Sequence, residues 1–314
     1  MDKKTLYQLK SYEYEHEFDR KALETLEGTP GLEKFARKYN KHAIERVMRL
    51  QYTGSALKVN KTNFPNIHKL LNEACDNLQL NHVPELYITW DYSVNAFTTG
   101  SENPLIVLHS GAVDLLTDEE LLWLIGHEVG HIKSGHMLYH EMGEIIPILG
   151  DIIGSATLGI GGLVGIGLEA ALFHWHRMSE LTADRAGLLA CQNNDVAISA
   201  LMKMSGVPKE FFDKINTDDF IEQAREFKGY DYDSLDKVAK AATIMWQNHP
   251  WTVMRAHEIL KWFESGKYEE IIEKHSNIEM ISGTTGSMPC LKCGFELTGD
   301  EKFCPGCGEK FGRR

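Results

Sequence analysis

Nothing ahead of residue 120 in this 314-residue chain is an apolar run long enough to span a bilayer, and no apolar core follows the N-terminal methionine. The opening "MDKKTLYQLKSYEYEHEFDRK" is polar and mixed in charge, so a secretory signal is not expected. Basic residues are in deficit, 33 against 45 acidic, for a net charge of −12. A phosphate backbone needs a basic surface, so this balance argues against nucleic acid as the main partner. Cysteine is scarce through the first 289 residues: Cys75 and Cys191 stand alone in apolar, helical surroundings, as buried thiols do. Disulfide cross-linking is therefore not expected, and a reducing, cytoplasmic location fits. The alternative is a peripheral or integral membrane protein with a cytoplasmic catalytic domain.

What is present is a helix-rich chain with a short β region. Residues 1 to about 80 carry apolar positions at spacings of three and four, with Pro65 suited to a first helical turn. "ELYITWDY" alternates like a strand, "PLIVLHSG" reads as a short buried strand, and "SVNAFTTG" between them is strand-like. The expected fold class is α+β, mainly α-helical, with a small sheet.

"TDEELLWLIGHEVGHIKSGHMLYHEM" is the clearest helix, expected from about 118 to the early 140s. Thr117 can cap it, with Glu120 completing the capping box. Positions i and i+4 of a helix differ by about 40° of rotation, so His127 and His131 face one ion together. A catalytic zinc takes three protein ligands and keeps one position open; the metal lowers the pKa of water toward about 7. Glu128, beside His127, is placed as the general base.

Candidates for the third ligand differ in geometry. On one continuous helix, His136 falls on a different face from His131, and His140 is left to structure or solvent. His174 and His176 are two apart and point to different sides. Glu180, in "RMSELTADRAG", is the better candidate, since a second helix can bring one carboxylate onto the metal. Asp184 is one turn further on the same face, where it can hold a ligand imidazole or guide a proton.

Residues Ile152 to Leu168 are 17 without charge, six of them glycine. As a helix they reach about 26 Å, short of the roughly 30 Å hydrocarbon core. A buried segment or hairpin is favoured over membrane contact through about 145–168.

The tail "CLKCGFELTGDEKFCPGCGEKF" is CxxC, ten residues, CxxC. Cys290, Cys293, Cys304 and Cys307 have the spacing of a four-thiolate structural zinc site, and the tail resembles a zinc ribbon. Twenty-five residues hold too little core to fold without that metal. The expected domains are a main domain over 1–275 carrying the catalytic zinc, a linker over 276–289 and a ribbon over 290–314.

The run "NAFTTG … LIVLHSGAVDLLTDEELLWLIGHEVGHI … RMSELTADRAG … NHP" resembles the HtpX and CaaX-prenyl-protease type of zinc metallopeptidase, the gluzincins with HExxH…ExxxD. The resemblance covers roughly residues 60 to 260. It implies zinc on His127, His131 and Glu180, Glu128 as base and Asp184 as catalytic auxiliary. It also implies that Asn95, Ala96 and Phe97 form an edge strand pairing with extended substrate, that His249 approaches the metal or the oxyanion, and that Arg255 meets substrate. The expected function is hydrolysis of peptide bonds in extended or misfolded protein segments, with protein or peptide partners and two zinc ions, one catalytic and one structural. The alternative is a non-catalytic chaperone-like or ribbon-mediated binding protein on the same fold.

Overall fold

The computed structural model describes residues 3–29, 31–39, 45–142, 160–227 and 251–276, with the backbone of 288–289 and 296–297. The N-terminal part is helical: α1 (Ser11–Tyr14), α2 (Glu17–Glu27), α3 (Leu32–Tyr39), α4 (Glu45–Ser55) and α5 (Pro65–Asn77). Pro65 sits in the first turn of α5, where a missing N–H costs nothing. One element there is not helical. The two-residue strand β1 (Leu57–Lys58) pairs antiparallel with β2 (Glu85–Thr89); two residues are too few to show an alternation in sequence.

The other strands are β3 (Ala96–Thr99) and β4 (Leu105–His109). The sheet order is β1-β2-β4-β3, with β2 and β4 parallel and the outer pairs antiparallel. β3 is thus an edge strand, while four of the five residues of β4 are buried. A short α6 (Ser110–Leu115) leads from the sheet into α7 (Asp118–Ser134).

Thr117 caps α7, accepting from the backbone N–H of Glu120, whose carboxylate accepts from the N–H of Thr117. Leu121, Leu122, Leu124 and Ile125 are buried, each worth roughly 1.5–3 kcal/mol against exposure. The helix does not continue into the 140s. Gly135 adopts φ +70°, a left-handed conformation that glycine takes without a Cβ penalty, and ends α7; a second short helix, α8, runs over 137–142.

Helix α9 (Ile160–Cys191) lies against α7, and the contact explains two glycines within and beside the HExxH run. A Cβ on Gly126 would lie 2.3 Å from the Cβ of Ala190, and one on Gly130 would lie 2.4 Å from that of Ala186. The pairing 126 with 190 and 130 with 186 makes the helices antiparallel. Their backbones approach closely enough for a side chain on α9 to reach the histidines of α7. Then follow α10 (Asn194–Met204), a 3-10 turn (Lys209–Phe211), α11 (Thr217–Phe227), α12 (Thr252–Glu264) and α13 (Lys267–Ser276). A separate pair of two-residue strands, β5 (Met288–Pro289) and β6 (Glu296–Leu297), is antiparallel.

The glycine contact sets an expected result. In a helix interior, Gly→Ala ordinarily gains about 1 kcal/mol. At Gly130 the added methyl overlaps Ala186, and overpacking costs about 1–3 kcal/mol. Gly130→Ala should therefore come out neutral to about 2 kcal/mol destabilised in a urea melt. At Gly54, in α4, a Cβ meets nothing within 4 Å, so Gly54→Ala should be neutral or stabilising. Equal gains at both sites would show that α7 and α9 separate freely.

Among the described residues, no helix is long and apolar enough to cross a membrane. Most of the glycine-rich segment 145–168 lies outside the described residues, and its end, from 160, begins α9.

Candidate active site

His127, Glu128 and His131 sit on α7, each buried. Glu180 comes from α9 and is also buried. His127 Nε2 and His131 Nε2 are 3.1 Å apart, His127 Nε2 and Glu180 Oε2 3.4 Å, and His131 Nε2 and Glu180 Oε1 3.2 Å. With bonds of about 2.0–2.1 Å, tetrahedral ligands on zinc are about 3.3–3.4 Å apart. The three donors therefore already sit at nearly the spacing that one ion requires. Charge agrees. Glu128, Glu180 and Asp184 are three buried carboxylates beside one buried guanidinium, that of Arg255. With neutral imidazoles these four groups sum to −2, a balance that favours a bound cation; buried charge left uncompensated is costly.

The ring nitrogens are pre-set. His127 Nδ1 donates to Asp184 Oδ1 at 3.0 Å, leaving Nε2 as the lone-pair donor to a metal. Burial works to lower the pKa of His127, but hydrogen bonds to Asp184 and Glu180 outweigh it and raise it to about 9. A metal must therefore displace a proton there. Burial pushes His131 down to about 3, which keeps its ring neutral. Burial works to raise the Asp184 carboxyl, but the Arg255 guanidinium overrides it and holds the group below its ordinary range.

Arg255, expected to meet substrate, is 2% exposed and donates to Asp184 from Nε at 2.9 Å and from Nη2 at 2.6 Å. Its Nη1 lies 3.6 Å from Glu180 Oε2. A guanidinium without access to water needs carboxylates, and α12 carries it to the two beside the histidines.

A cleft of about 560 Å³ opens onto this cluster, lined by Glu128, His131 and Glu180 on one side and by Asn95 through Thr99 on another. Ala96 is buried; Phe97 is half-buried, with its ring centroid 5.4 Å from that of Tyr52. Asn95 precedes the strand, and its carbonyl accepts from the N–H of His109. Thr98, which sequence reasoning passed over, donates from Oγ1 to Glu128 Oε2 at 2.7 Å. Nothing in "NAFTTG" marks which threonine faces α7; the pleat and register decide it.

His136 was set aside on the premise of a continuous helix, and that premise fails. The break at Gly135 returns its ring to His131, with the two Nδ1 atoms 2.8 Å apart. It meets the Nδ1 side of His131, whereas His127 and Glu180 meet the Nε2 side. His140 lines the cleft, its Nε2 2.8 Å from Ser179 Oγ, and its ring centroid is 5.0 Å from that of His131. His174 is exposed whereas His176 lines the cleft. Cys75 and Cys191 are buried free thiols, and burial pushes both up to about 12, so neither is a nucleophile. His249, Cys290, Cys293, Cys304 and Cys307 lie outside the described residues.

The family model described as Peptidase family M48 matches residues 61–263, well over half of the chain. The chain belongs to peptidase family M48. This M48 member is thus a zinc-dependent protease, a hydrolase whose substrates are proteins or peptides. It is 32% identical over 265 residues to the plastoglobule-localized metallopeptidase 48, chloroplastic, of Arabidopsis thaliana, covering 83% of this chain and 75% of that protein. It is 27% identical over 190 residues to a protease HtpX homolog 2 of Methanosarcina acetivorans, covering 52% of this chain and 64% of the relative. A protease HtpX homolog of Bordetella petrii is 28% identical over 109 residues, 34% of each chain. No solved structure matches this M48 chain.

Proposed function

We propose that the protein is a zinc endopeptidase that cuts extended, unfolded or misfolded segments, a role in protein quality control. In this reading His127, His131 and Glu180 hold the catalytic zinc, which supplies a Lewis acid that polarises a carbonyl and acidifies water. Glu128 takes the proton of the attacking water on its carboxylate and passes it to the leaving amine. Thr98 holds that carboxylate in position. Asp184, clamped by Arg255, fixes the tautomer and tilt of His127. Asn95, Ala96 and Phe97 present the edge strand to the substrate backbone, which adds as a further strand. His249 is assigned to the open side of the site, on the resemblance of its "NHP" stretch alone.

One observation supports the preference for extended substrate. The edge strand and the general base share a single cleft and touch through Thr98 and Glu128. A segment paired with β3 would run past Glu128, and a folded domain cannot offer such a segment. Cys290, Cys293, Cys304 and Cys307 are proposed to hold a structural zinc in a module of their own, 290–314, tethered by 276–289 to the domain of 1–275. Their spacing carries this, along with the pairing of β5 and β6 on either side of the first CxxC.

Casein, which has no stable fold, should be cut at internal bonds. A compact globular protein of similar size should be cut at least ten-fold more slowly. A zinc chelator should stop both reactions, and added zinc should restore them. Release of single terminal residues alone, or equal rates on the two proteins, would remove the endopeptidase reading.

A further inference from the structure

His131 has a second nitrogen, Nδ1, and the structure gives it a partner of its own. Its Nε2 faces His127 and Glu180, and when that nitrogen gives its lone pair to the metal the neutral ring carries its proton on Nδ1. That proton points at His136 Nδ1, 2.8 Å away. His136 must then accept at Nδ1 and carry its own proton on Nε2. His136 Nε2 lies 3.2 Å from Asp19 Oδ2. Asp19 also accepts from Trp175 Nε1 at 2.9 Å and from Thr182 Oγ1 at 2.6 Å. Thr182 in turn accepts from the backbone N–H of His16 at 2.9 Å. Every proton along this chain has one consistent place. Three donors converge on Asp19, and only a group that accepts without donating satisfies all three. Asp19, His136 and Thr182 are each no more than 2% exposed, so water does not substitute for any of them.

We infer that Asp19 and His136 are positioning residues for the catalytic metal, orienting His131 as Asp184 and Arg255 orient His127. The inference rests on His131 being a zinc ligand. Asp19 lies on α2, ahead of the residues 61–263 that match the family model. Helix α2 thereby becomes part of the active site rather than packing beside it. The device gives each ligand histidine a carboxylate behind it, directly for His127 and through a second imidazole for His131. Partners of this kind typically change metal affinity by 10–100-fold when removed.

The test is cobalt(II) titration of the full, zinc-stripped chain in competition with a chelator. Thiolate charge-transfer absorption reports the cysteine site, and the weaker visible bands report the histidine site. Asp19→Asn turns a donor toward one of three donors, and His136→Leu removes the acceptor for His131. Each should weaken cobalt at the histidine site by 10–100-fold and leave the thiolate signal unchanged. His136→Asn, whose carbonyl can still accept from His131 Nδ1, should fall between His136→Leu and wild type. Circular dichroism of the metal-free proteins identifies any variant that fails to fold. A folded Asp19→Asn and a folded His136→Leu that bind cobalt as tightly as wild type would overturn the inference while leaving the ligand set intact. Wild-type affinity in His131→Ala would instead sink the ligand set itself.

Discussion

Glu128→Gln should retain zinc and fold yet lose peptide cleavage by about 10²–10⁴-fold, the usual range for removing a general acid–base. The substitution is nearly isosteric. Glu128 is 3% exposed, and its Oε2 accepts from Thr98 Oγ1. A glutamine carbonyl can accept that same hydrogen bond, so the side chain keeps its place and only its basicity goes. The zinc ligands are untouched, and the buried charge falls from −2 to −1 beside a dication. Metal binding should therefore not collapse. Steady-state hydrolysis of a short peptide, zinc content and a thermal melt on the same preparation check the three statements together. Turnover above about a tenth of wild type would mean that another group takes the proton. His140 and His176, both on the wall of the cleft, are then the first to test. The same variant, slow to release what it binds, is suited to capturing substrates.

Purified protein should carry close to two zinc ions per chain, one for each of the proposed sites, and the two should be separable. One is built from two imidazoles and a carboxylate with one position open, the other from four thiolates with none. His131→Ala removes a ligand and should leave about one zinc and no proteolysis. Cys304→Ser should also leave about one zinc, but with hydrolysis of a short peptide surviving. Twenty-five tail residues hold too little core to stay folded without metal, whereas the described hydrophobic core is assembled from residues between Leu6 and Ile271. Large protein substrates should suffer more than peptides if the tail helps to dock them. Loss of peptide cleavage in Cys304→Ser with the catalytic zinc retained would make the tail part of the active site and end the two-module reading.

Much of the site was legible because its chemistry is local. Two histidines four apart on a capped helix define a face, and Glu128 follows from adjacency. The carboxylate pair Glu180 and Asp184, one helical turn apart amid apolar residues, reads as inward-facing. The strands around "ELYIT", "AFTT" and "LIVLH" were legible for the same reason, as each is a short apolar or alternating run. Sequence by itself thus determined which side chains are candidates for the metal, the helix that carries the histidines and the strands beside it. Tertiary structure decided the rest. The break at Gly135 bent the chain and turned His136 from a residue on the wrong face into a partner of His131. The packing of α12 made Arg255 the buried counter-ion of Asp184. The pleat chose Thr98 to hold Glu128, and Asp19, more than a hundred residues from the histidines, arrived only because α2 packs on α9. Periodicity encodes which way a side chain faces on its own element. It does not encode which element stands opposite, and the hydrogen-bond partners of a buried polar group are fixed only once that neighbour is in place.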